Sequence, residues 1–243
     1  MRVMKILVVL ALVTVPLTAL AEEKETSRWT DQAELGYVST SGNTSTSTLA
    51  LRNDLGYSFA DNIKGTWSLR VLNAETAGIT TAERYFTEFR LDFGFSERLY
   101  GFGKANWLQD RPSGVDYRIT AGVGAGYHFL TGPKHDLLGE AGFDYTDEKY
   151  TDDTGGNFLA TRLFGKYGYN FNDKNRFTQS LEYAPDLGRL SNYRFNSETA
   201  FTSAISDIFS LKTAYVINYN NEPPAGFGKT DKVFSVTLVA DFP

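Results

Sequence analysis

Two histidines, two close pairs of carboxylates and three alternate glycines are the residues of this chain whose types and spacing could do chemistry. His128 and His135 are its two imidazoles, and nucleophilic hydrolysis would need one of them held against a serine, with an Asn or Asp orienting the ring. His128 is predicted inward near a periplasmic turn and His135 falls within that turn, so a histidine satisfied by its neighbours is the simpler reading. Asp147-Glu148 and Asp152-Asp153, next to Gly155-Gly156, offer oxygens to Ca²⁺ but lack the ordered ligand spacing of a calcium loop. A solvated loop accounts for them. Gly122, Gly124 and Gly126 do not make a phosphate loop, because they fall on one face of a strand with no helix following. Glycine there makes room for side chains from neighbouring strands. These residues give no reason to expect a catalytic, cofactor or metal site.

The element that carries these glycines is more informative than the glycines themselves. From Val115 to Phe129 every odd position is apolar or aromatic and every even one is polar or glycine. Side chains alternate across a strand, so the segment presents one greasy face and one charged face. A strand of ~9–11 residues with such a face is what crossing the hydrocarbon layer requires. The same alternation predicts strands over Trp29–Ser39, Ser47–Ala60, Ile63–Asn73, Glu83–Phe95, Leu99–Gln109, Leu137–Thr146, Asn157–Phe171, Arg176–Ala184, Ser191–Thr202, Ile208–Asn220 and Thr230–Phe242. Leu99–Gln109 fits least well, since Tyr100 and Phe102 fall opposite Ala105 and Trp107. Twelve strands are expected, or ten or fourteen if a weak segment is misassigned.

Short polar turns, such as Asp61-Asn62 and Asn172 to Lys174, alternate with longer links at Thr40 to Thr46, Ala74 to Ala82, Asp110 to Gly114, Asp147 to Gly156, Pro185 to Leu190 and Asn221 to Lys229. An even number of strands with short turns at one end and longer loops at the other is the pattern of an outer-membrane barrel. Aromatic residues make up 14% of the chain and cluster near both sets of turns, as two interfacial girdles would. The competing reading, a soluble β-sandwich, would place its aromatics mid-strand. Backbone polar groups in lipid must all be paired, so the sheet has to close. The expected fold is therefore all-β: a closed antiparallel transmembrane β-barrel, built as an up-and-down meander.

Closure turns the polar face inward. The predicted lumen receives Arg52, Arg70, Arg84, Arg90, Arg118, Arg162, Lys166, Arg194 and Lys212 among its bases, and Glu34, Glu88, Asp116, Glu140, Glu182 and Glu198 among its acids. Two readings follow. Interlocking Arg–carboxylate pairs would fill the lumen, or its charged walls would line a narrow wet passage that orients a small solute. Barrels of ~8 strands are filled by side chains and those of ~16 leave a channel, so twelve does not decide. The expected role is thus a narrow pore or an envelope-structural protein, without enzymatic activity. The alternative is an outer-membrane enzyme acting on lipid or lipopolysaccharide, for which His128 stands at the wrong end, inward beside a periplasmic turn.

Residues 1–21 read as a cleaved signal peptide: Arg2 and Lys5, an apolar run from Ile6 to Leu20, then Ala19-Leu20-Ala21. An uncleaved membrane helix is the rival reading, against which stand the run's shortness, Pro16 and the acidic Glu22-Glu23. Residues 22–28 would form a short periplasmic segment and 29–243 the barrel. Loss of Arg2 and Lys5 leaves 22 basic against 29 acidic residues, a net of −7, which makes nucleic acid an unlikely partner. The chain has no cysteine, hence neither a disulfide framework nor a lipidated N-terminal cysteine. Outer-membrane lipid and lipopolysaccharide are the expected surroundings, with the protein a monomer.

The segment Glu34-Leu35-Gly36-Tyr37-Val38-Ser39-Thr40-Ser41-Gly42-Asn43-Thr44, the glycine strand ending Tyr127-His128, and Asn220-Asn221-Glu222-Pro223-Pro224 followed by Lys229-Thr230-Asp231 resemble the YdiY-like family of salt-induced outer-membrane proteins. The resemblance runs from about Trp29 to the C-terminus. It implies location in the bacterial outer membrane, barrel architecture and a link to salt or osmotic stress, and it implies no activity. Phe234 to Phe242 also resembles the insertion signal read by the barrel-assembly machinery, although Pro243 follows the terminal aromatic.

Overall fold

Period-two alternation persists through the computed structural model, which describes residues 27–40 and 46–242. The expected leader, most of the segment 22–28, and Ser41 to Thr44 of the family-like motif lie outside the described residues. Twelve strands form: β1 Trp29–Thr40, β2 Thr46–Ala60, β3 Ile63–Thr76, β4 Ile79–Gly94, β5 Leu99–Asp110, β6 Val115–Thr131, β7 His135–Tyr150, β8 Gly155–Asn170, β9 Asn175–Pro185, β10 Tyr193–Ala204, β11 Phe209–Asn220 and β12 Thr230–Phe242. Each pairs antiparallel with its neighbours in sequence, and β1 meets β12 to close the barrel. That seam is the shortest ladder, running over Asp31–Leu35 against Leu238–Phe242.

Burial is inverted relative to a water-soluble protein. Leu35, Val123 and Leu163 are 55%, 64% and 54% exposed, whereas Arg162 and Glu140 are 5% and 7% exposed. Such an exterior is stable only against hydrocarbon, where apolar surface carries no hydration penalty. The aromatics form ring pairs at the strand ends. Trp29 packs 4.4 Å from Tyr57 at the short-turn end, and Tyr183, Tyr193 and Tyr219 run in series at the long-loop end.

Two of the links expected to be long are hairpin ends instead. β3 turns into β4 at Ala77-Gly78, both with positive φ, as a two-residue hairpin turn requires. β7 and β8 turn over residues 151–154. Glu75, Thr76 and Thr80 lack the apolar alternation that marked the rest, yet the ladder continues through them above the apolar belt, with Thr81 skipped at a bulge. A bulge between Val115 and Tyr117 corrects the parity at the start of β6. Val115 is buried and faces inward rather than out, because the extra residue re-aims the strand end.

The three glycines of β6 are spacers. Gly122, Gly124 and Gly126 stand directly between the inward residues of β5 and β7. A Cβ on Gly122 would collide with Asp144, and one on Gly126 with Tyr100. Gly124 faces Gly142, where a Cβ would lie 2.5 Å from the Val123 carbonyl oxygen. Backbone cannot give way there as a flexible side chain would. Gly142→Val should therefore cost ~1–3 kcal/mol or more, the range for forced overpacking. Gly103→Val is the counterpart, since a Cβ at outward Gly103 meets nothing within 4 Å. That change should be neutral or stabilise by up to ~1 kcal/mol. Urea unfolding of both variants refolded into vesicles gives the two free energies; equal losses would refute the spacer role.

Candidate functional site

Because β6 presents only glycine at these levels, side chains from β5 and β7 meet over it. Lys104 Nζ reaches Asp144 Oδ2 at 3.1 Å above Gly122, and Tyr100 Oη donates to Glu140 Oε1 at 2.7 Å above Gly126. Phe102 lies opposite Gly124 and is 4% exposed. The Tyr100 and Phe102 that made β5 the poorest fit to the alternation are thus lumen residues, placed inward to pack against charge.

Glu140 is the hub of the latched wall. Its Oε1 accepts from Arg90 Nη2 at 2.7 Å as well as from Tyr100, and its Oε2 accepts from Arg162 Nη1 at 2.7 Å. Arg162 Nε also donates to Glu182 at 2.6 Å, and Arg90 to Asp92. The Arg90 guanidinium lies 4.3 Å from the centre of the Phe102 ring, and that of Arg162 lies 5.7 Å away on the same ring. Two like charges are held together here by a shared carboxylate and a shared aromatic face, each of which offsets their repulsion.

Two further ties cross the lumen. Arg194 of β10 and Arg118 of β6 both donate to Glu148 of β7, at 2.7 Å and 2.6 Å. Arg52 of β2 reaches Glu198 of β10 at 3.7 Å, and Lys212 joins Glu198 to Glu34 at 3.0 Å each. Above them, a cavity of ≈ 190 Å³ opens at the long-loop end, lined by Arg84, Phe86, Asn106, Arg118, Asn196 and Lys229 among others. Of the fifteen charged residues the sequence predicts in the lumen, Asp116 stands apart, paired with Arg111 of the β5–β6 link at 3.6 Å beside the bulge of β6. Arg52, Arg90, Arg118, Glu140, Arg162, Arg194, Glu198 and Lys212 join the ties just described. Arg84 faces Asp110 at 3.7 Å, and Glu88 accepts from Asn106 at 3.2 Å. Arg70 and Lys166 have no carboxylate oxygen within 4.0 Å among the described residues, and both are solvent-accessible. Sequence reading passed over the inward aromatics Phe86, Phe158 and Phe164, which lie under Arg70, Arg194 and Arg162. Their signal was an aromatic on the polar parity of an otherwise regular strand.

The other candidate groups do not converge. His128 packs 5.2 Å from Tyr100 inside the barrel, and His135 Nδ1 lies 2.8 Å from the Tyr167 hydroxyl at the short-turn end. Glu148 is drawn into the lumen and Asp153 pairs with Lys149 at 2.6 Å, which separates the four carboxylates of the loop. Thr154 donates to Asp152 from its hydroxyl and its backbone N–H, and these bonds hold the Asp152 carboxyl below its usual range.

Residues 33–242 match the family described as protein of unknown function, DUF481. The chain belongs to this family. It is 32% identical over 192 residues to YdiY, an uncharacterized protein of Escherichia coli (strain K12), covering 78% of this chain and 73% of that protein. In architecture it is similar to the NanC porin, with a TM-score of 0.54 at 6% identity over 88% of this chain and 100% of that one. The KdgM porin superposes with a TM-score of 0.48 at 9% identity over 88% and 99% of the two chains. At such identities the likeness is one of fold: a small porin-like barrel.

Proposed function

We propose that this chain is a monomeric, narrow pore of the bacterial outer membrane, surrounded by lipid and lipopolysaccharide and inserted by the barrel-assembly machinery. The observation that supports this reading is that Arg70 and Lys166 stand exposed to open space inside the wall although ion pairs cross the lumen around them. A lumen sealed by its own side chains would have dried these two cations or paired them. Planar-bilayer recording of the refolded protein tests it. Discrete conductance steps are expected, and silence would make the barrel a plugged, envelope-structural one. Lipid or lipopolysaccharide hydrolysis that disappears in His128→Ala would establish the enzymatic alternative in its place.

The link to salt that the family resemblance implies has a physical counterpart in the cross-lumen ties. Arg52 and Glu198 are about a quarter exposed, 26% and 28% at the side chain, and stand 3.7 Å apart. Ions entering the lumen screen such a pair: the Debye length falls from ~10 Å at 0.1 M to ~3 Å at 1 M. The pore should accordingly conduct disproportionately well at high salt. Single-channel conductance divided by bulk conductivity is expected to rise between 0.1 M and 1 M KCl, and Glu198→Gln should raise the low-salt value. A constant ratio would show that the tie does not restrict flow.

A further inference from the structure

The cavity at the long-loop end has a wall of amides. One register row across β9 to β12 runs Glu182, Asn196, Asn218 and Asp231, and two residues further out Asn220 stands beside Arg194. All six line the cavity. Asn196 donates to Glu182 at 3.2 Å, and Asn220 Oδ1 accepts from the Glu222 N–H at 3.1 Å, which leaves the Asn196 carbonyl and the Asn220 amino group unengaged among the described residues. Asn218 is half-buried and its amide makes no hydrogen bond among the described residues. The charges around these amides are spent on one another. Lys104 meets Asp144 at 3.1 Å, Arg84 faces Asp110 at 3.7 Å, and Arg118 and Arg194 share Glu148. Five basic and four acidic side chains line the cavity, so no strong field draws an ion of either sign. β5 lies six places from β11 in the ring of twelve strands, hence across the lumen. On that side Phe86, Leu108 and Val115 give the cavity an apolar face.

We infer that this cavity binds a small, neutral, hydroxyl-rich solute, a polyol or a monosaccharide. A hydroxyl both donates and accepts, and an amide sets a donor beside an acceptor, so the unengaged amide groups of Asn196, Asn218 and Asn220 can meet hydroxyls in either sense. The C–H face of such a solute fits the Phe86, Leu108 and Val115 side. A charged or zwitterionic solute would find a counter-charge only by opening an ion pair already made, which strands the partner left behind. The volume of ≈ 190 Å³ holds about six water molecules at ~30 Å³ each, which sets the upper size near one sugar ring. This gives the pore reading a solute class; it rests on that reading for passage through the barrel but not for binding.

Binding is measured apart from conduction, by saturation-transfer difference NMR of the refolded protein in detergent micelles at fixed ionic strength. The probes are glycerol and D-glucose, with D-glucuronate and glycine betaine as the anionic and zwitterionic comparisons. Wild-type protein should bind at least one of the neutral pair, and bind it more tightly than either comparison. In Asn196→Leu/Asn218→Leu the affinity should fall about tenfold, as loss of neutral hydrogen bonds at two amides does, while Lys174→Gln in a distant short turn leaves it unchanged. Asn218→Ala adds no bulk, should weaken binding about threefold, and carries the test if the leucine pair does not fold. Heat-modifiable gel migration identifies the folded fraction of each variant. No signal from either neutral probe, tighter binding of glucuronate or betaine, or binding indifferent to the Asn218 variants overturns the site. Amide-dependent binding by a barrel that is silent in planar bilayers leaves the site standing and removes the pore. Conduction without amide-dependent binding does the reverse.

Discussion

Glu140→Ala is expected to destabilise the folded barrel by about 3–5 kcal/mol, the range for breaking a buried ion-pair network by removing one of its members. The variant strips an acceptor from Arg90, Arg162 and Tyr100 together, in a setting where Glu140 is 7% exposed. Arg90 keeps Asp92 and Arg162 keeps Glu182, so each guanidinium retains a partner, but their mutual repulsion over Phe102 loses the anion between them. Urea titration of the protein refolded in vesicles supplies the free energy. Arg162→Ala relieves that repulsion, so Glu140→Ala/Arg162→Ala should lose less than the two single losses combined, as contacting groups do in a double-mutant cycle. A single loss below about 1 kcal/mol, or strict additivity, would mean that water in the lumen already solvates these groups and that the latch contributes nothing.

How much of this was legible beforehand depends on the range of the cause. Period-two alternation is a local property, and it placed twelve strands with their outward faces. Leu91, Val123 and Leu163 are exposed as it required. It lost the tops of β3, β4 and β7, where Thr80, Thr81 and Lys149 lie beyond the apolar belt and the ladder continues on hydrogen bonds without an apolar face to mark it. It misassigned Val115 because a bulge is invisible to parity counting. The composition of the lumen was legible, but not its pairing. Arg90 and Glu140 are 50 residues apart in sequence, and Lys212 and Glu34 are 178 apart. Which of them meet is set by barrel closure and strand stagger, which no local pattern encodes. Arg70 and Lys166 could be told from Arg52 or Arg162 only once those partners were in place.

Val123→Arg should cost about 2–4 kcal/mol, the penalty for a charge on the lipid face near the bilayer midplane. Val123 is 64% exposed midway along β6, with Gly103 of β5 and Phe143 of β7 as its outward neighbours. In a water-soluble sheet the same change at so exposed a residue would be close to neutral, because surface substitutions fall within ~0.5 kcal/mol. The experiment therefore separates the two solvents of the outer face. Arg placed at Tyr37 or Tyr145, near the long-loop end, should cost only ~0–1 kcal/mol, since the penalty falls toward the interface and the side chain extends its charge to the headgroups. A penalty that peaks at Val123 and declines toward Tyr145 would trace the hydrocarbon layer along the barrel wall. A flat profile near zero would leave the apolar exterior without a membrane to explain it, and would remove the premise on which the wet lumen is read as a route between two compartments.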